Sequence, residues 1–235
     1  MGEFSKEFYK KGNEDFRKRF ASLDITPGEA DQMKNWRGRE GVLNYLLLGE
    51  NDLKNGKTLD IGSGTGQLAI DLAGQAEIVS YDPLSAPLIL LGTNKPKLSE
   101  EIARKNAVRG IAQVLPFKDN TFERVISLYS VPRYFSTAEK ATEFIREILR
   151  VLKMGGEIRL YPLIINSEEV SSLSPLSDYI KWPMRLRDRF LPLLEQEIAK
   201  DEKHKYTINE IVPDPEFPNQ VLVVVKKINW INPIP

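Results

Sequence analysis

From Thr58 onward, short apolar runs alternate with stretches whose apolar positions recur every three or four residues. The runs KTLDI, EIVSYD, IAQV, RVISLYS and EIRLYPL read as five strands, and QLAIDLA after the first reads as a helix. Between the fourth and fifth runs, Ala141, Phe144, Ile145, Ile148, Leu149 and Leu152 fall on one helical stripe; Ser136 with Glu139 forms a capping-box pattern, and Gly155 and Gly156 end the helix. Two more strands, KYTINEIV and QVLVVVKKI, are joined by a short proline-bearing link, too short for a parallel crossover, so they pair antiparallel. Strands alternating with helices predict an α/β fold: a seven-stranded, mostly parallel sheet with a reversed C-terminal hairpin and helices on both faces.

Before Thr58 the pattern is helical. Phe4 with Phe8 and Phe16 with Phe20 stand four apart, Pro27 and Gly28 mark a turn, and GREGVLNYLLLGE reads as one helix stopped near Gly49. This divides the chain into residues 1–50, a helical cap that is either a lid or a packed layer, and residues 51–235, the core. Within the core, the Ser- and Pro-rich segment 164–205 is expected to be a substrate-side insertion.

Composition narrows the chemistry. The 235 residues carry 33 Lys and Arg against 33 Asp and Glu, so no global field draws the chain to nucleic acid or to an anionic membrane. With no cysteine there is no disulfide or thiolate site, and the single histidine, His204, sits between Lys203 and Lys205 and reads as a solvated surface residue. No signal peptide or membrane-spanning run is expected, which reads as a soluble, cytoplasmic protein, monomer or homodimer.

The chemistry concentrates where the first strand hands over to a helix. In TLDIGSGTGQLAIDLA, Gly62, Gly64 and Gly66 occupy alternate positions, which allows a tight turn and close backbone approach to a ligand. The spacing is not the G-x-G-x-x-G of dinucleotide folds, because Gln67 stands at the third glycine, and no lysine supplies a phosphate loop. About 20 residues further on, Asp82 ends the second strand, where a carboxylate accepts from ribose hydroxyls.

Together LDIGSGTG, YDP, AQVLPFKDNTFERVIS and EILRVLKMGGEIRL resemble the successive motifs of class I S-adenosylmethionine-dependent methyltransferases. They are most similar to the metal-independent branch typified by ubiquinone and menaquinone biosynthesis methyltransferases. The resemblance covers roughly residues 38 to 165, implies a Rossmann-like sheet, and matches the terminal hairpin. It implies that Gly62, Ser63, Gly64 and Gly66 wrap the methionine part of the cofactor, that Asp60 supports its amino group, that Asp82 holds the ribose, and that Pro83 lies against the adenine. Ile111, Ala112 and Gln113 stand where the family often carries an Asp-Ala-Glu-like triplet, leaving the Ala112 N–H and the Gln113 side chain to meet the adenine.

An activated methyl needs above all an aligned acceptor. The residues expected near it are Leu128, Tyr129, Ser130, Arg133 and Tyr134 after the fourth strand and Tyr161 in the fifth, with Tyr129, Arg133 and Tyr134 as the catalytic candidates. The tyrosines are pocket wall, phenol donor or core; Arg133 clamps an anionic substrate or pairs with a surface acid. Trp36, Arg37 and Trp182 are further candidates for lining a pocket. No metal is called for, because SLYSVPRYF offers no carboxylate. The expected activity is methyl transfer from S-adenosylmethionine to O, N or C of a small molecule; the alternatives are an RNA methyltransferase and a cofactor-binding scaffold without catalysis.

Overall fold

The structure is a computed structural model that describes residues 39–64, 66–83, 101, 105–132, 135, 137–164 and 186–228. The N-terminal phenylalanine pairs, Trp36, Arg37, Arg133, Tyr134, Trp182 and most of the expected insertion lie outside the described residues.

In chain order the elements are α1 (Arg39–Tyr45), α2 (Glu50–Lys54), β1 (Lys57–Ile61), α3 (Gln67–Asp71), β2 (Glu77–Asp82), β3 (Ala107–Arg109), β4 (Phe122–Leu128), α4 (Ala138–Val151), β5 (Leu152–Ile164), α5 (Leu186–Ala199), β6 (Lys205–Ile211) and β7 (Gln220–Ile228). They form a seven-stranded sheet of order β3-β2-β1-β4-β5-β7-β6. The first five strands in chain order are parallel, and β7 runs antiparallel to both β5 and β6. The expected α/β sheet with its reversed hairpin is therefore present, with β1 interior between β2 and β4.

Alternation along the strands gives each face its own core. On one face Leu59, Val79, Val125, Ile158 and Val223 pack with Phe144, Ile145 and Ile148 of α4 and Phe190 and Leu194 of α5. On the other, Ile78, Ile126 and Leu222 pack with Val42 and Leu46 of the α1 segment, Leu53 of α2 and Leu68 of α3. So α5, at the end of the segment expected to be an insertion, is a core helix lying beside α4.

Four local expectations change. Strand three is Ala107–Arg109, because residues 111–114 fold into a turn whose Ile111 and Val114 carbonyls accept from the Tyr81 hydroxyl at 3.0 and 2.8 Å. The single helix expected at 38–50 is two, broken at Leu47, which has φ of 50°, and Gly49. Thr137 rather than Ser136 caps α4, its side chain accepting from the Lys140 N–H at 3.3 Å. Leu152 already belongs to β5, and the Gly155–Gly156 pair forms a bulge where the β4–β5 register shifts instead of ending the helix.

Charged residues are buried on the α1–α3 face. Glu157 accepts from Arg124 Nε at 3.0 Å and Arg159 at 3.1 Å. Those arginines also donate to backbone, Arg124 to the Asp52 carbonyl of α2 and Arg159 to Leu46 and Leu47 after α1. One carboxylate thus holds two guanidiniums that fasten two helix ends to the sheet. Burial works to raise the Glu157 carboxyl, but Arg159 and then Arg124 outweigh it and hold it below its ordinary value.

Glu157→Ala leaves both guanidiniums buried without their anion, and denaturant unfolding should show a loss of about 3–5 kcal/mol. Because the folded carboxyl titrates lower than the unfolded one, its stabilisation is full above about pH 4.3 and disappears as pH falls through the lower folded value. The wild-type advantage over the variant should therefore shrink between pH 6 and pH 3 in parallel urea titrations.

Candidate functional site

β1 ends against its two neighbours, with Asp60 in register with Ser80 of β2 and Ile126 of β4. The chain then turns through Gly62, Gly64 and Gly66, with φ of 71°, 58° and 72°. L side chains pay about 1–2 kcal/mol for each such residue, so three in five positions require glycine. The turn is tied down by Gly62 N–H donating to the Tyr81 carbonyl at 2.7 Å and Gly66 N–H to the Ser63 carbonyl at 3.0 Å. A Cβ on Gly62 would fall inside the Ser130 side chain, so the segment after β4 touches the turn directly.

Asp82 is brought to the same place. It is 7% exposed, and its Oδ2 accepts from the Gly64 N–H at 3.0 Å. Asp60, 6% exposed, lies on the face opposite Leu59 and Ile61, alongside Ser80. The Ser63 hydroxyl is buried within the turn and has no hydrogen-bond partner among the described residues.

The next wall comes from the turn after β3. Gly110 N–H donates to the Asp82 carbonyl at 3.3 Å, and the Tyr81 hydroxyl holds Ile111 and Val114. These bonds fasten the turn to the end of β2, with Ala112 buried in the α4-face core and Gln113 half-buried. Pro83 is exposed there, its carbonyl accepting from Arg109 Nε at 2.9 Å.

Leu128, 4% exposed, ends β4. Tyr129 follows with φ of 51°, an outlying conformation for a large aromatic residue, and its N–H donates to the Tyr161 carbonyl of β5 at 2.7 Å. Its ring meets those of Tyr161 and Tyr45 edge-on, with centroids 5.5 and 5.6 Å away, and Tyr45 stacks on Tyr161 at 5.3 Å. The Tyr161 hydroxyl donates to Gln220 Oε1 of β7 at 2.9 Å. Burial, then the neighbouring phenols, raise the Tyr129 hydroxyl, and burial chiefly pushes Tyr161 up to about 12. Both are therefore hydrogen-bond donors, not bases, at neutral pH.

The structure thus assembles Asp60, Gly62, Ser63, Gly64, Gly66, Asp82, Leu128 and Tyr129 along the C-terminal edge of β1, β2 and β4, where the strand order reverses and open sheets hold ligands, with Ala112 and Gln113 in the turn after β3 that is bonded to the end of β2. Arg133 and Tyr134 lie outside the described residues. Tyr45 is missing from the sequence reading; its signal there was only its place in an apolar helix. His204 corrects the reading of a solvated residue: three-quarters buried, it is held through Nδ1 by Asp201 at 2.8 Å. Among the described residues no group of His, Asp or Glu side chains is placed to hold a metal ion, and no helix is long and apolar enough to cross a membrane.

A prediction follows from the Gly62–Ser130 contact. Gly62→Ala should be strongly destabilising in thermal unfolding, and Ser130→Gly in the same chain should recover the steric part, leaving about 1–2 kcal/mol of left-handed backbone cost. Equal stability of the single and double variants would show that the contact is not the cause.

Comparison with known proteins bears directly on this edge. Residues 59–160 match the methyltransferase domain family. The chain is 27% identical over 184 residues to the ubiquinone/menaquinone biosynthesis C-methyltransferase UbiE of Blochmanniella floridana, covering 76% of this chain and 68% of that one. Across such curated relatives it spans 44–68% of their length. Among solved structures, one from Methanococcus maripaludis assigned to the S-adenosyl-L-methionine-dependent methyltransferases superposes with a TM-score of 0.50 at 21% identity, covering 90% of this chain and 97% of that one. Haemonchus contortus phosphoethanolamine N-methyltransferase 1, solved with phosphoethanolamine and S-adenosylhomocysteine, superposes with a TM-score of 0.60 at 17% identity, covering 96% of this chain and 50% of that one. The matched stretch runs from β1 through the glycine turn into β5, along the elements that build the crevice edge, so over residues 59–160 the chain is similar to the methyltransferase domain family.

Proposed function

We propose that this chain transfers the methyl group of S-adenosylmethionine to a small-molecule acceptor seated against Tyr45 and Tyr129, which pack on the buried Tyr161, acting in the cytoplasm as a monomer or homodimer. The observation that carries this reading is the Asp82 carboxylate held by the Gly64 N–H at the mouth of a left-handed glycine turn.

The residues fit the cofactor. The buried, unpartnered Ser63 hydroxyl and the backbone of Gly62, Gly64 and Gly66 form a cradle without side-chain bulk for the methionine end, and Asp60 supports the amino group. Asp82 accepts from the ribose, Pro83 and Leu128 bound the adenine, and Ala112 and Gln113 meet its edge. The cofactor supplies a sulfonium methyl that needs no further activation, so what this chain adds is alignment and exclusion of water.

Acceptor choice falls to the tyrosine cluster. Tyr45 and Tyr129, half-buried and packed on the buried Tyr161 with centroids 5.3–5.6 Å apart, present aromatic surface and, in Tyr129, a phenol that keeps its proton, which suits a flat, oxygen-bearing aromatic acceptor. Relatives named as C-methyltransferases of ubiquinone/menaquinone biosynthesis support carbon as the acceptor atom. In this reading residues 1–50, which bring Tyr45, are a cap, residues 51–235 are the core, and the part of 164–205 ahead of α5 selects the acceptor alongside Arg133 and Tyr134.

Calorimetry with S-adenosylhomocysteine tests the cofactor half. Asp82→Ala should weaken binding by about 2–4 kcal/mol, on the order of a hundredfold, with circular dichroism unchanged. Wild-type chain that binds neither the donor nor its demethylated product would leave a scaffold without catalysis. Tritiated methyl transfer to hydroxylated aromatic compounds tests the acceptor half: Tyr45→Ala should cut incorporation at least tenfold without changing S-adenosylhomocysteine affinity.

A further inference from the structure

β7 enters the sheet at the edge where the parallel strands leave it, because Gln220 at its start is in register with Ile164 at the end of β5. The link from β6 to β7, residues 212–219, therefore lies at the edge that carries the tyrosine cluster. It is bonded there. The Tyr161 hydroxyl donates to Gln220 Oε1 at 2.9 Å, the Gln220 N–H to the Phe217 carbonyl at 2.9 Å, and the Phe217 N–H to the Asp214 carbonyl at 3.0 Å. Two successive turns thus lead from the Tyr161 phenol back to Asp214, and Pro213, Pro215 and Pro218 fix φ at three positions of the link.

Asp214 is half-buried, and its Oδ1 accepts from the Glu216 N–H at 2.9 Å. Glu157, Glu197 and Glu210 each hold a guanidinium. Among the described residues, by contrast, no lysine or arginine pairs with Asp214 and no donor takes its Oδ2. Its charge is felt at the cluster: burial chiefly raises the Tyr161 phenol, and the Tyr45 phenol and the Asp214 carboxylate add to it. A carboxylate turned to bulk water would be screened from that phenol.

The other polar groups of this edge have tasks already. Tyr129 and Tyr161 keep their protons and act as donors, Gln220 Oε1 receives the Tyr161 hydroxyl, and Asp60 and Asp82 are buried at the glycine turn. A hydroxylated aromatic molecule seated on Tyr45 and Tyr129 brings an O–H hydrogen that needs an acceptor, and a carboxylate oxygen makes the strongest such bond. Resting on the acceptor reading above, we propose that Asp214 binds the methyl acceptor, its Oδ2 taking the hydroxyl hydrogen and so fixing which way the ring lies against Tyr45 and Tyr129.

The test titrates the full chain, saturated with S-adenosylhomocysteine, with 2-naphthol and with 2-methoxynaphthalene, following ligand fluorescence. These two flat aromatics differ in the O–H hydrogen. The wild-type chain should bind the naphthol at least about tenfold more tightly. Asp214→Asn keeps an oxygen for the Glu216 N–H and puts an amide donor in place of Oδ2, so the ratio should fall to about twofold through weaker naphthol binding alone. A purely structural role for Asp214 would weaken both ligands together and overturn the proposal. So would a wild-type chain without preference for the naphthol, or a full preference retained in Asp214→Asn; both leave the acceptor reading in place. A wild-type chain that binds neither aromatic removes the acceptor reading and this proposal with it. S-adenosylhomocysteine affinity, measured on the same samples and expected to be unchanged in the variant, reports on the cofactor half separately.

Discussion

The turn that leaves β1 governs the rest of the structure. β1 is an interior strand, flanked by β2 and β4, and its chain must change direction within five residues without a side chain at three of them. The turn is closed from both flanks: Asp82 of β2 accepts its Gly64 N–H, and Ser130 beyond β4 packs on Gly62. A change in either neighbour is therefore felt at the turn, because close-packed interiors leave no slack to absorb it.

Buried polar groups do the placing around that turn. The Tyr81 hydroxyl, on the α4 face, holds the 111–114 segment over the crevice edge by bonding two backbone carbonyls. The Arg124–Glu157–Arg159 group does the same on the other face for α2 and the end of α1. Tyr45 is the last residue of α1, so the ring that completes the aromatic cluster is presented by a helix followed at once by two carbonyls, those of Leu46 and Leu47, that accept from Arg159. Electrostatics on the sheet thus sets the shape of an aromatic surface at its edge.

The two ends of the sheet differ in character. The C-terminal edge of the parallel strands carries backbone N–H groups, carboxylates and phenols; the far end, where α4 and α5 finish, carries Lys and Arg side chains paired with Asp119 and Glu197, and a histidine held by Asp201. Parallel strands with crossover helices produce such a division, since every strand points its C-terminal end the same way.

Strand positions were legible in the residues wherever burial produced a continuous apolar run: β1, β2 and β7 fall where KTLDI, EIVSYD and QVLVVVKKI were read. The glycine turn and Asp82 were legible too, because spacing along the chain alone sets which residues bend and which carboxylate ends the next strand. IAQV misled because its apolar residues serve a turn bonded to Tyr81, a partner 30 residues away that no local pattern reveals. The Gly155–Gly156 pair misled for a similar reason, its role as a bulge depending on the register with β4. By itself, then, the sequence determined the order of strands and helices and the chemistry of the turn, since both follow from local periodicity and backbone freedom. Only the tertiary structure decided that Tyr45 joins Tyr129 and Tyr161, that His204 leans on Asp201, and that Lys227 is buried, because each depends on contacts between segments far apart in the chain.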